Sequence, residues 1–246
     1  MIISRRVVLI AAAAAAVACA LVFLRFGGLP WRSIYRRFVR RRTVDSVLSA
    51  YGSRVDAKLS PLFAMQGLAY PPKEIALIAT KLEKKLEVWA RGETTDFRRM
   101  TAYPVLGASG TLGPKLTEGD KQVPEGIYRI ASLNPNSEFH LSLELDYPNE
   151  FDRAQAAKDG RTRLGGDIFI HGGRSSIGCL AMGDDAIEEL FILVARTGRE
   201  KSRVVIAPQE PHVAVFSAPA PQAVSWLPEL HRLVLHELAV IRGQAS

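Results

Sequence analysis

The sequence predicts a mainly β, α+β fold: a β-rich domain with one packed helix, flanked by helical segments on either side. Three observations predict it. Short apolar runs punctuated by turn residues fill positions 73–208, one amphipathic stretch interrupts them, and residues 226–241 repeat apolar side chains at helical spacing. The chain has 246 residues, 48% hydrophobic and 23% charged, enough to bury one substantial core.

Taken in order, Ile34, Phe38, Val44, Val47, Leu48, Tyr51, Val55 and Leu59 recur at helical spacing, so residues 33–59 are expected to be helix. Pro61, Gly67 and the Pro71-Pro72 pair then mark a linker over residues 59–72. Residues 75–79 and 86–90 are apolar and flank a lysine-rich turn, which predicts a hairpin. Residues 97–106 continue extended, and a glycine-rich loop follows over 107–119. Further strands are expected at 127–130, 139–145, 167–170 and 204–206. Asp184 and Asp185 would cap a helix carrying Ile187, Leu190, Phe191 and Val194 on one face and ending near Gly198. Ala218-Pro-Ala-Pro221 is a stiff linker into the C-terminal amphipathic helix. The organisation is therefore an N-terminal segment over 1–32, a helical segment and linker over 33–72, a β-rich domain over 73–208, and a linker and helix over 209–246.

The net charge of +7 is not spread over the domain. Residues 1–44 hold nine arginines and no acid, which leaves the remainder at −2. A nucleic-acid footprint needs its charge on a face of the folded part, so that function class is set aside. Residues 7–24 form an uncharged apolar run behind Arg5 and Arg6, the pattern of an export signal or a minimal membrane anchor. Ala16-Val17-Ala18 offers a cleavage site, Ala18-Cys19 a weak lipoprotein site, and Ser4-Arg5-Arg6 a faint twin-arginine signal. The run continues to Leu24, which favours an uncleaved anchor. Seven arginines follow it and two precede it, which by charge alone would keep the C-terminal side inside. The chemistry below outweighs that asymmetry, and a periplasmic location is expected, exported or anchored in the inner membrane. Cys19 lies in the apolar run, so Cys179 is left without a disulfide partner in the domain.

Residues 167–185 carry the chemistry. An apolar strand delivers His171 at its end, Gly172 and Gly173 free the backbone, and a short loop returns to Gly178-Cys179. A thiol needs a base to become nucleophilic near neutral pH, since the free group titrates at about 8.5, and a rigid strand-end histidine supplies one. Activated this way, the thiolate is expected well below that value. Gly178 would let a carbonyl approach the amides around Cys179 as an oxyanion hole. The competing readings are a buried structural cysteine and a strand-end histidine bonded only to backbone. A zinc site would need His171, Cys179 and one of His140 or His212, without any tight ligand pair, and is disfavoured.

These residues resemble the catalytic motif of the L,D-transpeptidase (YkuD-type) family: Ile170-His171-Gly172, then Ser176-Ile177-Gly178-Cys179. Gln122-Val-Pro-Glu-Gly-Ile-Tyr128 is similar to that family's Thr-Pro-x-Gly-x-Phe segment, and the resemblance spans roughly residues 73–208. Pro135-Asn-Ser, Leu141-Ser, the run from Tyr147 to Ala154 and the short His-to-Cys spacing resemble its proteobacterial YafK-like branch. The chain departs from the main family in its shorter loop, in Ile177 where many members have a second histidine, and in Leu180-Ala181 after the cysteine.

The resemblance implies Cys179 as nucleophile and His171 as base, with the Gly172 carbonyl orienting the imidazole and the Gly178 and Cys179 amides holding the oxyanion. Arg174, Ser176, Asn149 and Arg153 are the substrate-binding candidates it suggests. Ser176 would support the loop and Arg174 meet a stem-peptide carboxylate, each with a solvated loop residue as its competing reading, and Asn149, Asp152 and Arg153 could instead form a turn with an ion pair. The implied substrate is the peptidoglycan stem peptide, cut at an L,D-peptide bond, with an envelope lipoprotein as a further partner and no cofactor or metal. Transfer to an amine is one outcome. A cysteine amidohydrolase that releases lipoprotein or trims peptides is the second, and a non-catalytic peptidoglycan-binding scaffold the third.

Overall fold

A computed structural model describes residues 41–93, 96–211, 216 and 224–244. The expected anchor over residues 7–24, the first turns of the helix expected from residue 33, and the linker at 218–221 lie outside these. Among the described residues no helix is long and apolar enough to cross a membrane.

Helix α1 (Val44–Met65) starts where Thr43 and Ser46 exchange side-chain and backbone hydrogen bonds, a capping box that satisfies two helix-end donors. Val47, Val55, Leu59 and Phe63 form its buried stripe. The helix runs past the expected end at Leu59, through Pro61 to Met65, so the expected linker shortens. Pro61 removes one backbone bond, but Phe63 one turn from Leu59 is fully buried, and that packing outweighs the loss.

Nine strands among the described residues form one sheet. The hairpin is as expected: β1 (Glu74–Thr80) pairs antiparallel with β2 (Lys85–Arg91), which pairs with β3 (Arg98–Pro104). The remaining strands are β4 (Gly107–Ala108), β5 (Gly126–Asn134), β6 (Ser142–Leu145), β7 (Phe169–His171), β8 (Leu180–Ala181) and β9 (Ser202–Ala207). Their order is β3-β2-β1-β9-β5-β6-β7-β8-β4, with β1–β9 and β7–β8 parallel. Strand β5 joins the two halves: residues 126–129 pair with β9 and residues 130–134 with β6.

β1 and β9 are buried on both faces, as their unbroken apolar sequences require. Alternate residues serve two cores. Ile75, Leu77 and Val204 face the core shared with α1, whereas Ala76, Ile78 and Val205 face Trp226, Leu230, Val234 and Leu238. The last four belong to the C-terminal helix α4 (Leu227–Ile241) and its N-cap.

Two further helices complete the fold. Helix α2 (Glu150–Lys158) is absent from the sequence reading, which left Asn149, Asp152 and Arg153 as either a substrate-binding cluster or a turn with an ion pair. The Asn149-x-x-Asp152 spacing is a capping box, and both of its bonds form. Helix α3 (Asp184–Thr197) ends at Gly198 as expected, but its N-cap is Gly183 at φ +82. The two aspartates lie inside the first turn, where the helix dipole favours negative charge. The expected strand over 139–145 begins only at Ser142, because Phe139, His140 and Leu141 form a tight turn.

Candidate active site

β7 and β8 set the site. They run parallel, with His171 in register with Ala181, so the strand ending in His171 lies beside the strand that Cys179 leads into. Gly172 must be glycine: a Cβ there would sit 2.5 Å from the Phe139 carbonyl oxygen and 2.6 Å from Asp184 Oδ1. Asp184 Oδ1 in turn accepts from the Gly173 amide at 2.8 Å, which ties the turn after His171 to the start of α3.

His171 is 3% exposed, and its Nδ1 lies 2.6 Å from the Gly172 carbonyl oxygen. A carbonyl can only accept, so Nδ1 carries the proton and Nε2 of the neutral ring keeps its lone pair. The Phe139 ring lies over the imidazole, centroids 4.6 Å apart and planes 33° from parallel. Burial pulls the His171 pKa below its ordinary value, and the bond to Gly172 only partly opposes this.

Cys179 is half-buried and is held by its loop. Its amide donates to Ser176 Oγ at 3.1 Å, and that hydroxyl donates back to the Cys179 carbonyl at 2.6 Å. Gly178, at φ +113, donates its amide to Ser109 Oγ at 2.7 Å, and the Ser109 hydroxyl donates to the Lys121 carbonyl at 2.7 Å. The two amides expected to form the oxyanion hole are thus both engaged by hydroxyls. Opening that hole requires the hydroxyls to turn aside or share their amides.

The thiol does not meet the expectation of a lowered pKa. Burial pushes it up; the Phe169 backbone donor and the Lys115 charge pull it down, and the Asp167 carboxylate raises it. Its hydrogen bond goes to the Asp167 carbonyl, at 3.6 Å, and not to the imidazole. Both directions favour a neutral thiol and a neutral imidazole over an ion pair.

Asp167, whose carbonyl accepts from the thiol, also lines a cavity of about 280 Å³ together with Lys115, Lys121, Ile168 and Ile177 among others. The glycine-rich loop that forms its wall is braced from inside the protein. Gln122 bonds Thr111 and Gly113 through both ends of its amide, and buried Glu125 accepts from the Gly113 amide and pairs with Lys81 at 3.0 Å. Burial raises the Glu125 carboxyl, but His231, Lys81 and the Gly113 amide together hold it below the usual carboxylate range.

Of the expected site residues, the structure gathers His171, Gly172, Ser176, Gly178 and Cys179. Arg174 sits on the same loop, but its side chain is exposed and without a bonded partner among the described residues. Asn149 and Arg153 are not brought there. Asn149 caps α2 and donates to the Ile127 carbonyl, and the cavities it lines contain neither His171 nor Cys179. Arg153 is exposed on α2. The sequence reading missed Ser109, Phe139 and Asp167. Ser109 sits in Gly-Ala-Ser-Gly and Asp167 follows Gly165-Gly166, so glycine flanks were the available signal for both. Phe139 gave none, being indistinguishable from a strand residue.

The sequence profile of the L,D-transpeptidase catalytic domain (YkuD) matches residues 75–206, more than half of the chain. The chain belongs to this family. It is 34% identical over 117 residues to the candidate L,D-transpeptidase YafK of Escherichia coli (strain K12), and equally to that of strain O157:H7. The aligned stretch covers 46% of this chain and 44% of the relative, so less than half of the curated protein is matched. Among solved structures, the L,D-transpeptidase domain is similar to the helical cell shape determining protein Pgp2 of Campylobacter jejuni. Identity there is 21%, with a TM-score of 0.46 over 68% of this chain and 56% of that one. Bd1075 of Bdellovibrio bacteriovorus follows at 20%, with a TM-score of 0.42 over 68% and 55%.

The thiol environment gives a direct test. In the full chain with Cys19→Ser, the alkylation rate of Cys179 is expected to rise through a midpoint above the ordinary cysteine value, because burial disfavours the anion. A midpoint well below it would mean that an imidazolium is already paired with a thiolate, against the geometry described here.

Proposed function

We propose that this domain is a cysteine acyltransferase acting on the L,D-peptide bonds of peptidoglycan stem peptides. The observation that carries the reading is the Nδ1–H bond from His171 to Gly172, which leaves Nε2 as a base on the strand next to the cysteine loop, within a YkuD domain.

The chemistry follows in two steps. His171 Nε2 takes the Cys179 proton as Sγ attacks the carbonyl carbon on the L-side of the scissile bond. An S–C bond forms, and the tetrahedral oxyanion is held by whichever of the Gly178 and Cys179 amides the serine hydroxyls release. The C–N bond then breaks, the imidazolium gives its proton to the leaving amine, and a thioester remains on Cys179. In the second step an acceptor loses its proton to Nε2 and attacks the thioester, which frees the thiol. The acceptor is an amine, from a second stem peptide or an envelope lipoprotein. Water in the same place would make the enzyme an amidohydrolase. Arg174, exposed on the same loop, would meet a carboxylate of the incoming peptide.

Substrates of this kind lie outside the cytoplasm, so residues 7–24 are proposed to export the domain or anchor it to the inner membrane, facing the periplasm. A reporter fused after Ser246 is then expected to be active only outside the cytoplasm. Activity confined to the cytoplasm would overturn this placement.

On purified peptidoglycan fragments, Cys179→Ala is expected to abolish turnover, and His171→Ala to lower it by about 10²–10⁴-fold, with folding retained. The base works only when neutral, and burial lowers its pKa. The acid limb of the rate profile is therefore expected below 6.5, the ordinary histidine value, so activity extends further into acid than an exposed histidine would allow. Turnover in Cys179→Ala equal to the unsubstituted protein would sink the mechanism.

A further inference from the structure

Two features beside His171 have no evident role in folding. Phe139 is 43% exposed, so its ring is not core. His140 sits at φ +73, a backbone conformation that residues with a β-carbon rarely adopt. Together with the Leu141 amide, which donates to the Phe139 carbonyl at 3.0 Å, this is the backbone of a γ-turn, a strained form at its positive-φ centre.

The turn is held from outside. His140 Nε2 lies 2.6 Å from Glu188 Oε1 on α3, and the other oxygen of that carboxylate pairs with Arg54 on α1. Tyr51, also on α1, meets the His140 ring edge-on at 5.7 Å. Inward, Phe139 and Leu141 meet the His171 segment at three points. The Phe139 ring covers the imidazole, the Phe139 carbonyl fills the space a Gly172 Cβ would take, and the Leu141 carbonyl accepts the Gly172 amide at 3.1 Å.

We infer that the Phe139–His140–Leu141 turn, pinned by Glu188, is a positioning device that lays Phe139 over the imidazole of His171 and so couples α1 and α3 to the base. This rests on the reading of His171 as the base. Backbone strain that persists only because its surroundings hold it is characteristic of sites where geometry must be fixed in advance. Here the strain turns the chain sharply enough for one residue to roof the imidazole while its neighbour reaches the helices. The titratable and charged groups in contact with this path are Arg54 and Tyr51 from α1 and Glu188 and Asp184 from α3. The roof excludes water, consistent with the lowered pKa of His171.

The test follows the His171 ring by NMR titration in the full chain without substrate, alongside kcat and KM. Phe139→Ala is expected to raise the His171 midpoint toward 6.5, its ordinary value, and to lower kcat more than it changes KM. Phe139→Tyr is expected to keep both. His140→Ala, which keeps the strain and loses the pin, is expected to shift the midpoint as Phe139→Ala does. His140→Gly, for which the backbone is unstrained, is expected to stay near the original. If either alanine variant fails to fold, Phe139→Ser also removes the ring and opens the same face of the imidazole, and gives the same reading. An unmoved midpoint in folded Phe139→Ala or Phe139→Ser would overturn the inference, as would a His140→Gly shift as large as that of His140→Ala. The titration needs no turnover. Absence of peptidoglycan activity in the unsubstituted protein would therefore refute the enzymatic reading alone and leave the stacking to be judged by the midpoints.

Discussion

A single hydrogen bond, from His171 Nδ1 to the Gly172 carbonyl, decides what this site can do, and much of the surrounding structure exists to hold it. A histidine donating through Nδ1 presents Nε2 as an acceptor, and no carboxylate is needed to fix that tautomer. The residue after the histidine must then hold its carbonyl in place. Gly172 does so because it is wedged between the Phe139 carbonyl and the Asp184 side chain, where no β-carbon fits. Its amide is taken by Leu141 and the next amide by Asp184. Strand β7 is only three residues long, so the precision comes from these neighbours more than from the ladder itself.

The thiol side is built differently. Cys179 is positioned by hydroxyls: Ser176 closes around its amide and carbonyl, and Ser109 reaches from the glycine-rich loop to the amide before it. That loop is in turn fixed by Gln122 and the buried Glu125–Lys81 pair. Burial raises the thiol and lowers the imidazole, so both favour their neutral forms. In the mechanism proposed above, proton transfer would then belong to the attack itself, and no reactive thiolate would be maintained between turnovers.

Much of this was legible in the sequence, for identifiable reasons. The unbroken apolar runs of β1 and β9 reflect burial on both faces, and the helical repeat of α4 reflects one buried stripe, whereas α3 is buried on every side from Ile187 to Val194, beyond the one face its apolar repeat marked. His171 and Cys179 stood out because glycines flank both. What was not legible depended on contacts distant in sequence. Pro61 argued locally for a helix end, yet Phe63 is buried and the helix continues. Asn149 carried the signature of a cap and was assigned to substrate. Phe139 and Leu141 alternate with polar residues as a strand would, and the contacts that His140 makes in the turn, with Tyr51 and Glu188, come from residues distant in sequence. The hydroxyls on the Gly178 and Cys179 amides likewise depend on Ser109, some 70 positions away from the cysteine.

The central claim is the protonation pattern of His171, and the most direct measurement is its tautomer. Long-range ¹H–¹⁵N correlation spectra of the full chain above the imidazole midpoint separate a protonated ring nitrogen from a lone-pair nitrogen. The account predicts that Nδ1 is protonated and Nε2 is not, and that the pattern persists in Cys179→Ala, because Gly172 fixes it and not the thiol. A proton on Nε2 in the resting protein would contradict it, since the ring would then have no base to offer the sulfur.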